Sequence, residues 1–300
     1  MTPAIDVVVV SYNSRDTLRA CVEPLAGLDG VTVIVVDNAS PDQSLEAITD
    51  LPIRTVAAER NHGFAVGCNL GVAAGNAPFV LFLNPDAYIS EASLRRLADV
   101  LVSEPDVGIV GPRTMAGDGT LVATMRRYQR VGSVWATALF VHRVLKRAAW
   151  ANEIVKSDDP YEHAAYPEWL SGGCLLARRS IIESVGGFDE GFFLYNEDMD
   201  LCVRVSAARY KIRYEPTALA VHEGGRSAPR TGLYAVLARS QMRFARQHAG
   251  AVSADFQRLG LATGALSHLI ANAARPAHRR GHIAALQAIV RPARQEAGVP

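Results

Sequence analysis

Short apolar runs alternate with stretches of helical periodicity in the first third of the chain. Residues 5–10, 31–36 and 79–83 are apolar runs of strand length, interrupted only by Asp6 and Thr32, as is typical of strands that are buried on both faces. Between the second and third runs, Ser40-Pro41-Asp42 combines a capping residue with proline and predicts the start of a helix. This alternation predicts an α/β fold with a mixed, mostly parallel sheet flanked by helices.

Polar residues follow two of these runs directly. Asp37-Asn38 comes after the second run, and Asn84-Pro85-Asp86 comes after the third. Ligands of such sheets bind at the carboxyl ends of the strands, so Asp37 and Asp86 are candidate site residues. A carboxylate there can hold a divalent cation that bridges a diphosphate. Asn-Pro-Asp is also a common turn sequence, so a purely structural interpretation stays open.

A glycine-rich stretch leads into a predicted helix after residue 60. It runs from Asn61-His62-Gly63-Phe64 through Gly67, Asn69 and Gly71. Glycines at such a place let the backbone approach a diphosphate closely. The spacing is not G-x-G-x-x-G, which argues against a dinucleotide-binding dehydrogenase.

An acidic cluster opens a predicted helix at Asn196-Glu197-Asp198-Met199-Asp200. Helix capping explains one acid at this place. Three acids within four residues exceed what a cap requires, and one of them could be a general base for an acceptor hydroxyl. His222 ends the last predicted strand, and an imidazole beside the Asp86 carboxylate would suit Mn²⁺ or Mg²⁺.

Charge is divided unevenly between the two parts of the chain. The formal net charge is +1, yet residues 1–203 carry a balance of −10 and residues 204–300 a balance of +11. The basic part suggests an anionic partner such as phospholipid, a lipid diphosphate or nucleic acid. Between Asp118 and Glu153 there is no acid, and basic and aromatic side chains interleave. Such a segment can lie on an anionic membrane surface or simply cap the core.

The remaining composition indicates a cytoplasmic protein. Apolar residues make up 49% and charged residues 20%, which excludes global disorder. The four cysteines lack C-x-x-C spacing, which favours reduced thiols. No basic leader precedes the first apolar run, and the charge-free stretch 259–274 is shorter than the ~20 residues that span a bilayer. We expect a soluble protein or one that is peripheral on the inner membrane face.

Taken in order, these motifs resemble family-two glycosyltransferases of the GT-A fold, and the rhamnosyltransferase-like branch looks nearest. The resemblance covers roughly residues 4–225. The matching stretches lie at residues 8–13, 35–40, 61–69, 83–86, 169–174, 186–190, 197–200 and 221–222. Each is modest alone, but eight in this order are highly specific.

The resemblance implies a role for each of these motifs. The residues implied in nucleotide binding are Tyr12, Asn13, Asp37, Asn38, Asn61, Gly63, Asn69 and Asp86. Those implied in holding Mn²⁺ or Mg²⁺ are Asp86 and His222. The implied catalytic base is Asp198, with Glu197 and Asp200 as supporting acids. The residues implied in shaping the acceptor pocket are Trp169, Gly172 and Gly173.

The implied reaction is a single in-line displacement with inversion at the anomeric carbon. The usual D-x-D metal motif here reads Asn84-Pro85-Asp86, a variant that the rhamnosyltransferase-like branch shares, so metal use is expected. The donor expected first is dTDP-rhamnose, and a UDP-hexose or UDP-galactofuranose is the alternative. The acceptor expected is a glycan or a polyprenyl-diphosphate-linked sugar in cell-wall or surface-polysaccharide synthesis.

Three regions are expected along the chain. Residues 1–115 would be the nucleotide-sugar-binding half, 116–228 the acceptor-binding and catalytic half, and 229–300 a basic helical extension; a homodimer is a further expectation. A sugar nucleotidylyltransferase is disfavoured, because Ser11-Tyr12-Asn13-Ser14 stands where it needs a glycine-rich basic loop. A catalytically silent binding module is disfavoured by the retained acids and His222. Nucleic-acid binding rests on the basic C-terminal part alone.

Overall fold

The first half of the chain builds strands and helices in alternation. The computed structural model describes residues 3–156, 159–223 and 230–291, so the expected boundary at 228–229 lies outside the described residues. The elements of this half are β1 (Ile5–Ser11), α1 (Arg15–Val22), β2 (Val31–Asp37), β3 (Arg54–Ala57), α2 (Phe64–Ala73), β4 (Phe79–Leu83), β5 (Ala87–Ile89), α3 (Glu91–Ser103) and β6 (Val107–Met115).

The second half adds shorter strands and then a run of helices. Its elements are β7 (Met125–Arg126), α4 (Val131–Ala138), α5 (Val141–Val144), β8 (Trp169–Leu170), β9 (Cys174–Arg178), α6 (Arg179–Ser184), α7 (Glu197–Ala207), β10 (Lys211–His222), α8 (Tyr234–His248), α9 (Ala251–Ala271) and α10 (Pro276–Val290).

The main sheet is mixed, as the sequence predicts. Within the described ranges it has eight strands in the order β3-β2-β1-β4-β9-β6-β10-β5. The pairs β1–β2, β1–β4, β2–β3 and β6–β10 are parallel, whereas β9 runs antiparallel to both of its neighbours and β5 runs antiparallel to β10. The predicted α/β class is confirmed.

Helices cover both faces of the sheet, as the side chains of β1 illustrate. Val7 and Val9 pack into one apolar core with residues of α1 and α3. Val8 and Val10 point to the other face and pack with residues of α2, α6 and α7. This alternation follows the period-two geometry of a strand. It explains why the run contains no polar residue after Asp6 and before Ser11.

The prediction that a helix begins at Ser40-Pro41-Asp42 is wrong. The structure has only a short 3-10 helix at Ser44–Ile48. The Asp42 carboxylate accepts hydrogen bonds from the backbone N–H groups of Arg15, at 2.9 Å, and Ser44, at 3.1 Å. Gln43 follows with a φ of 58°, in the left-handed region, and this prevents a regular α-helical start. The segment instead joins the loop after β2 to the start of α1.

The C-terminal helices pack on the rest of the fold. Arg243 of α8 forms a 2.8 Å ion pair with Asp189, and His248 Nε2 lies 2.7 Å from Asp200 Oδ1. The Ser240 hydroxyl donates to the carbonyl of Leu194 at 2.8 Å. Helix α9 packs against α4, and α10 packs against α8 and α9. No helix in the described parts of the chain is both long and apolar enough to cross a bilayer.

Candidate active site

The carboxyl ends of β1 and β2 lie side by side, because Ser11 pairs with Asp37 in the parallel register. The Asp37 side chain is buried, and its Oδ2 accepts the backbone N–H of Ser40 at 3.1 Å. Its Oδ1 is also buried, with no hydrogen-bond partner among the described residues. A buried acceptor without a partner costs about 1–3 kcal/mol, so this oxygen favours a ligand that brings a donor group.

The loop that precedes α2 is held beside the end of β2. The Asn38 amide donates to the carbonyl of Gly63 at 2.9 Å, and its oxygen accepts the N–H of His62 at 3.1 Å. The Asn61 side-chain oxygen accepts the N–H of Gly63 at 2.9 Å. Gly63 has a φ of +89°, and a Cβ there would lie 2.3 Å from the carbonyl oxygen of Phe193. Only glycine fits this position, since it combines a left-handed backbone with a close approach.

Three more of the predicted nucleotide-binding residues differ in their surroundings. Tyr12 is half-buried after β1, and Asn13 is exposed, with its N–H donating to Ser40 Oγ at 3.2 Å. Asn69 on α2 is already engaged, because its amide group bonds both the N–H and the carbonyl of Phe188 at 2.9 Å. These contacts favour a role for Asn69 in positioning the loop after α6 rather than in touching a nucleotide.

The turn after β4 places Asp86 next to His222. Strand β10 pairs with β5 so that His222 is opposite Ala87, the residue after Asp86. His222 Nε2 lies 3.1 Å from Asp86 Oδ1 and 3.3 Å from Asn84 Nδ2. Asp86 is buried, and its carbonyl accepts the N–H of Glu223 at 3.1 Å. The predicted pair of metal ligands is thus brought together at the edge of the sheet.

The chemistry of this pair fits a divalent cation. Asp86 Oδ1 and His222 Nε2, 3.1 Å apart, are a carboxylate oxygen and an imidazole nitrogen, and together they would suit Mn²⁺ or Mg²⁺. The described ranges contain no group of three or more His, Cys, Asp and Glu side chains that could hold an ion. Diphosphate oxygens and water would therefore complete the coordination, as is usual for Mg²⁺.

Asp198 is held at the start of α7 by two backbone N–H groups. Gly172 donates to its Oδ2 at 2.8 Å, and Met199 donates to its Oδ1 at 2.8 Å. The side chain is only half-buried, so it remains accessible to a substrate. Burial raises the pKa of Asp198, whereas the two N–H groups and the positive charge of Arg126 act to lower it. A carboxylate with a raised pKa is a stronger base than an ordinary aspartate.

The two neighbouring acids have different surroundings. Glu197 is buried, and its Oε2 has no hydrogen-bond partner in the described part of the chain. Burial and then the nearby Asp198 and Asp200 raise the pKa of Glu197 well above its usual range. Asp200 is instead fully paired, with Arg204 at 2.6 Å and His248 at 2.7 Å. It joins α7 to α8 and has no free oxygen for a substrate.

The dipeptide Gly172-Gly173 connects the two halves of the candidate site. Gly172 contacts Asp198, and a Cβ on Gly173 would lie 2.9 Å from Nδ1 of His222. Trp169, three residues before Gly172, is buried and donates its indole N–H to the carbonyl of Arg127 at 2.9 Å. Of the residues predicted to shape the acceptor pocket, Gly172 and Gly173 therefore lie between the candidate base and the candidate metal ligand, whereas Trp169 contacts the strand that carries Arg126.

Arg126 is a candidate site residue that the sequence motifs do not reveal. Strand β7 pairs with β8, which places Arg126 opposite Trp169, and the guanidinium lies 5.6 Å from the centre of the Trp169 ring. Its Nε is buried without a hydrogen-bond partner among the described residues. In the sequence Arg126 is one of several arginines in a basic segment, and only the pairing of two short strands distinguishes it.

The fold is that of GT-A glycosyltransferases. The mannosyltransferase PcManGT from Pyrobaculum calidifontis, solved with GDP-Man and Mn²⁺, is similar, with a TM-score of 0.59 and 18% identity. The similarity covers 97% of this chain and 88% of that one.

The family model described as glycosyl transferase family 2 matches residues 6–161. The chain belongs to this family and is a glycosyltransferase. It is 32% identical over 248 residues to the Mycobacterium tuberculosis N-acetylglucosaminyl-diphospho-decaprenol L-rhamnosyltransferase, covering 77% of this chain and 79% of that protein. The low-salt glycan biosynthesis hexosyltransferase Agl10 of Haloferax volcanii is 23% identical, over 74% of this chain and 68% of that protein. The resemblance stated from the motifs is confirmed.

Proposed function

We propose that this glycosyltransferase transfers L-rhamnose from dTDP-rhamnose, with inversion, to a hydroxyl of a lipid-diphosphate-linked sugar. The observation that carries the proposal is the arrangement around Gly172-Gly173, which links Asp198 on one side to the Asp86–His222 pair on the other. A base for the acceptor and a place for the donor diphosphate are thereby adjacent. The mycobacterial relative, whose name states this donor sugar and this kind of acceptor, supports the choice.

The proposed donor site lies at the ends of β1, β2 and β4. Asp37 would accept a hydrogen bond from the pyrimidine through its unpartnered Oδ1. Tyr12 and Asn13, with the Asn38-tethered loop at Asn61 and Gly63, would surround the nucleoside. Asp86 and His222 would hold Mn²⁺ or Mg²⁺, which when bound neutralises charge on the departing diphosphate.

In the proposed reaction Asp198 removes the proton from the acceptor hydroxyl. The oxygen attacks the anomeric carbon as the bond from that carbon to the diphosphate oxygen breaks, so the configuration inverts. The N–H groups of Gly172 and Met199 hold the Asp198 carboxylate in one orientation throughout. Glu197 and Asp200 support this geometry rather than exchange a proton with substrate, because one is buried and the other is paired.

The test is the thermal stability of the purified chain with dTDP, UDP or GDP, each with and without Mn²⁺ or Mg²⁺. A nucleotide at a hundred times its dissociation constant adds about 2.7 kcal/mol to the free energy of unfolding. We expect a metal-dependent rise in melting temperature that is largest with dTDP. A larger rise with UDP would favour a UDP-hexose or UDP-galactofuranose donor. No rise with any nucleotide would contradict the proposed donor site.

We further propose that the enzyme works at an anionic membrane surface, where such an acceptor is anchored. Val144 and Trp150 are 82% and 58% exposed beside the basic residues Arg143, Lys146 and Arg147. Exposed apolar groups flanked by cations suit an interface with anionic lipid. Co-sedimentation with vesicles of anionic lipid tests this, and the triple change of the three basic residues to serine is expected to abolish it. No sedimentation of the unchanged chain would contradict it.

A further inference from the structure

An apolar cavity of about 420 Å³ lies between α4, α8, α9 and α10, outside the donor site. Its volume falls within the range of about 300–1,000 Å³ that small-molecule sites occupy. The apolar part of its wall includes Val134, Leu237, Leu261, Ala265, Ala285 and Ile289. None of the residues proposed to bind the nucleotide lines this cavity, so the proposed donor site does not explain it.

Glycines on α9 and short side chains on the other helices form this cavity. Gly260 and Gly264 face α4, where added Cβ atoms would lie 2.8 Å from Val134 Cγ1 and 3.4 Å from Ala138. Helices α4 and α9 therefore approach closely on one side. On the other side, Ala265 and Ala285 leave space that longer side chains would fill.

The polar groups in the wall are mostly satisfied within the protein. The Asn152 amide donates to the carbonyl of Leu145 at 2.7 Å, and His268 Nε2 lies 3.3 Å from the carbonyl of Thr137. Burial lowers the pKa of both His268 and His282, which keeps these rings uncharged at neutral pH. The interior therefore offers an uncharged surface that favours an apolar ligand.

Part of the cavity wall comes from Arg126 and from the segment that pairs with it at Ile154. This segment brings Lys156 and Glu153, whose pKa burial raises, and the part lined by these three side chains is here called the basic end. The buried Nε of Arg126 has no partner among the described residues. The Arg126 charge also reaches Asp198, whose pKa it acts to lower. An anionic group at the basic end would thus face Arg126 and Lys156.

We propose that this cavity binds the apolar chain of an isoprenoid diphosphate, with the diphosphate at Arg126. An amphiphile of this kind matches both the apolar wall and the basic end. The inference rests on the proposed function, because it gives the lipid-linked acceptor a subsite from which its sugar reaches Asp198. It assigns the isoprene units next to the diphosphate to the apolar space that α4, α8, α9 and α10 enclose.

Farnesyl diphosphate is the probe for a direct binding experiment on the full chain, without a donor. Affinity is expected to rise at least tenfold from isopentenyl to farnesyl diphosphate, because burial of a longer chain removes more apolar surface from water. Leu261→Trp, which enlarges a side chain in the wall, is expected to weaken farnesyl diphosphate binding at least tenfold. The matched control is Leu259→Trp, since Leu259 is 56% exposed on the same helix.

Arg126→Gln distinguishes binding of the diphosphate from binding of the apolar chain. It is expected to weaken binding of farnesyl diphosphate and leave binding of farnesol unchanged. Equal binding of farnesyl diphosphate by the unchanged chain and by folded Leu261→Trp, or affinity that is independent of chain length, would overturn the inference. The dTDP-dependent rise in melting temperature is measured in parallel on the same variants. Its absence would count against the proposed donor site, while the chain-length result would still decide the cavity.

Discussion

The backbone N–H of Gly172 donates to Oδ2 of Asp198 at 2.8 Å across 26 residues of sequence. The next residue, Gly173, contacts the imidazole of His222. A carboxylate that accepts two backbone hydrogen bonds has a fixed orientation, and a Cβ on Gly173 would crowd the neighbouring imidazole. The candidate base and the candidate metal ligand therefore both lie against a two-residue turn without side chains.

Asp198→Asn is expected to lower kcat about 10²–10⁴-fold, because the amide cannot accept a proton from the acceptor. The change keeps the size of the side chain, so the dTDP-dependent rise in melting temperature should be retained. Initial rates of sugar transfer at saturating donor measure the effect. Near-normal turnover would show that another group is the base.

Asp86→Asn is expected to abolish the part of the dTDP-induced stabilisation that requires Mn²⁺ or Mg²⁺, because a neutral amide oxygen is a weaker ligand for a hard cation than a carboxylate. His222→Ala should have the same effect. The control is Asp16→Asn, which removes an exposed carboxylate at the start of α1. A metal-dependent shift of unchanged size in both site variants would place the ion elsewhere.

Asp200→Asn is expected to lower the free energy of unfolding by about 2–3 kcal/mol, because it weakens buried hydrogen bonds to Arg204 and His248. Chemical denaturation measures the loss. Asp50→Asn is the matched control, since its ion pair with Arg19 is at the surface and should contribute little. Equal effects of the two changes would show that the buried hydrogen bonds of Asp200 add no more stability than a surface ion pair.

Glu197→Gln is expected to make the free energy of unfolding depend less on pH. The folded-state pKa of Glu197 lies well above its value of about 4.3 in an unfolded chain, so the unfolded state releases this proton first. This group's contribution to stability is therefore present at low pH and is lost as the pH rises through the folded-state pKa. As the pH rises from 4 to 8, the melting temperature of the unchanged chain should fall relative to that of Glu197→Gln. A constant difference would contradict the raised pKa.

Gly63→Ala is expected to cost about 2–4 kcal/mol, since it adds a clash with Phe193 to a strained backbone angle. Gly119→Ala separates these causes, because Gly119 has a φ of +81° and no atom within 4 Å of an added Cβ. Gly119→Ala should lower the free energy of unfolding only by the cost of the strained backbone angle. Nucleotide binding by a folded Gly63→Ala chain is expected to weaken as well, since the loop beside Asp37 must shift.

Local patterns predicted the parts of this fold that depend on neighbouring residues. The apolar runs correctly predicted β1, β2 and β4. The polar residues that follow these strands lie close together, because the carboxyl ends of parallel strands lie on the same side of a sheet. The insertion of antiparallel β9 between β4 and β6 has no local signal. The same holds for the pairing of Asp200 with His248, which brings together residues 48 positions apart. The failed helix at Ser40 shows a tertiary contact, that of Asp42 with Arg15, overriding a valid capping sequence.

The contact of α8 with α7 limits how this enzyme can be recombined. Arg243 and His248 lie on α8, yet their partners Asp189 and Asp200 lie in the preceding part of the chain. A chimera that took its C-terminal helices from another family member would leave Asp189 without its guanidinium partner and Asp200 without its imidazole partner, unless matching residues came with the helices. Exchange of the C-terminal helices between relatives therefore requires that α8 be inherited together with its partners Asp189 and Asp200.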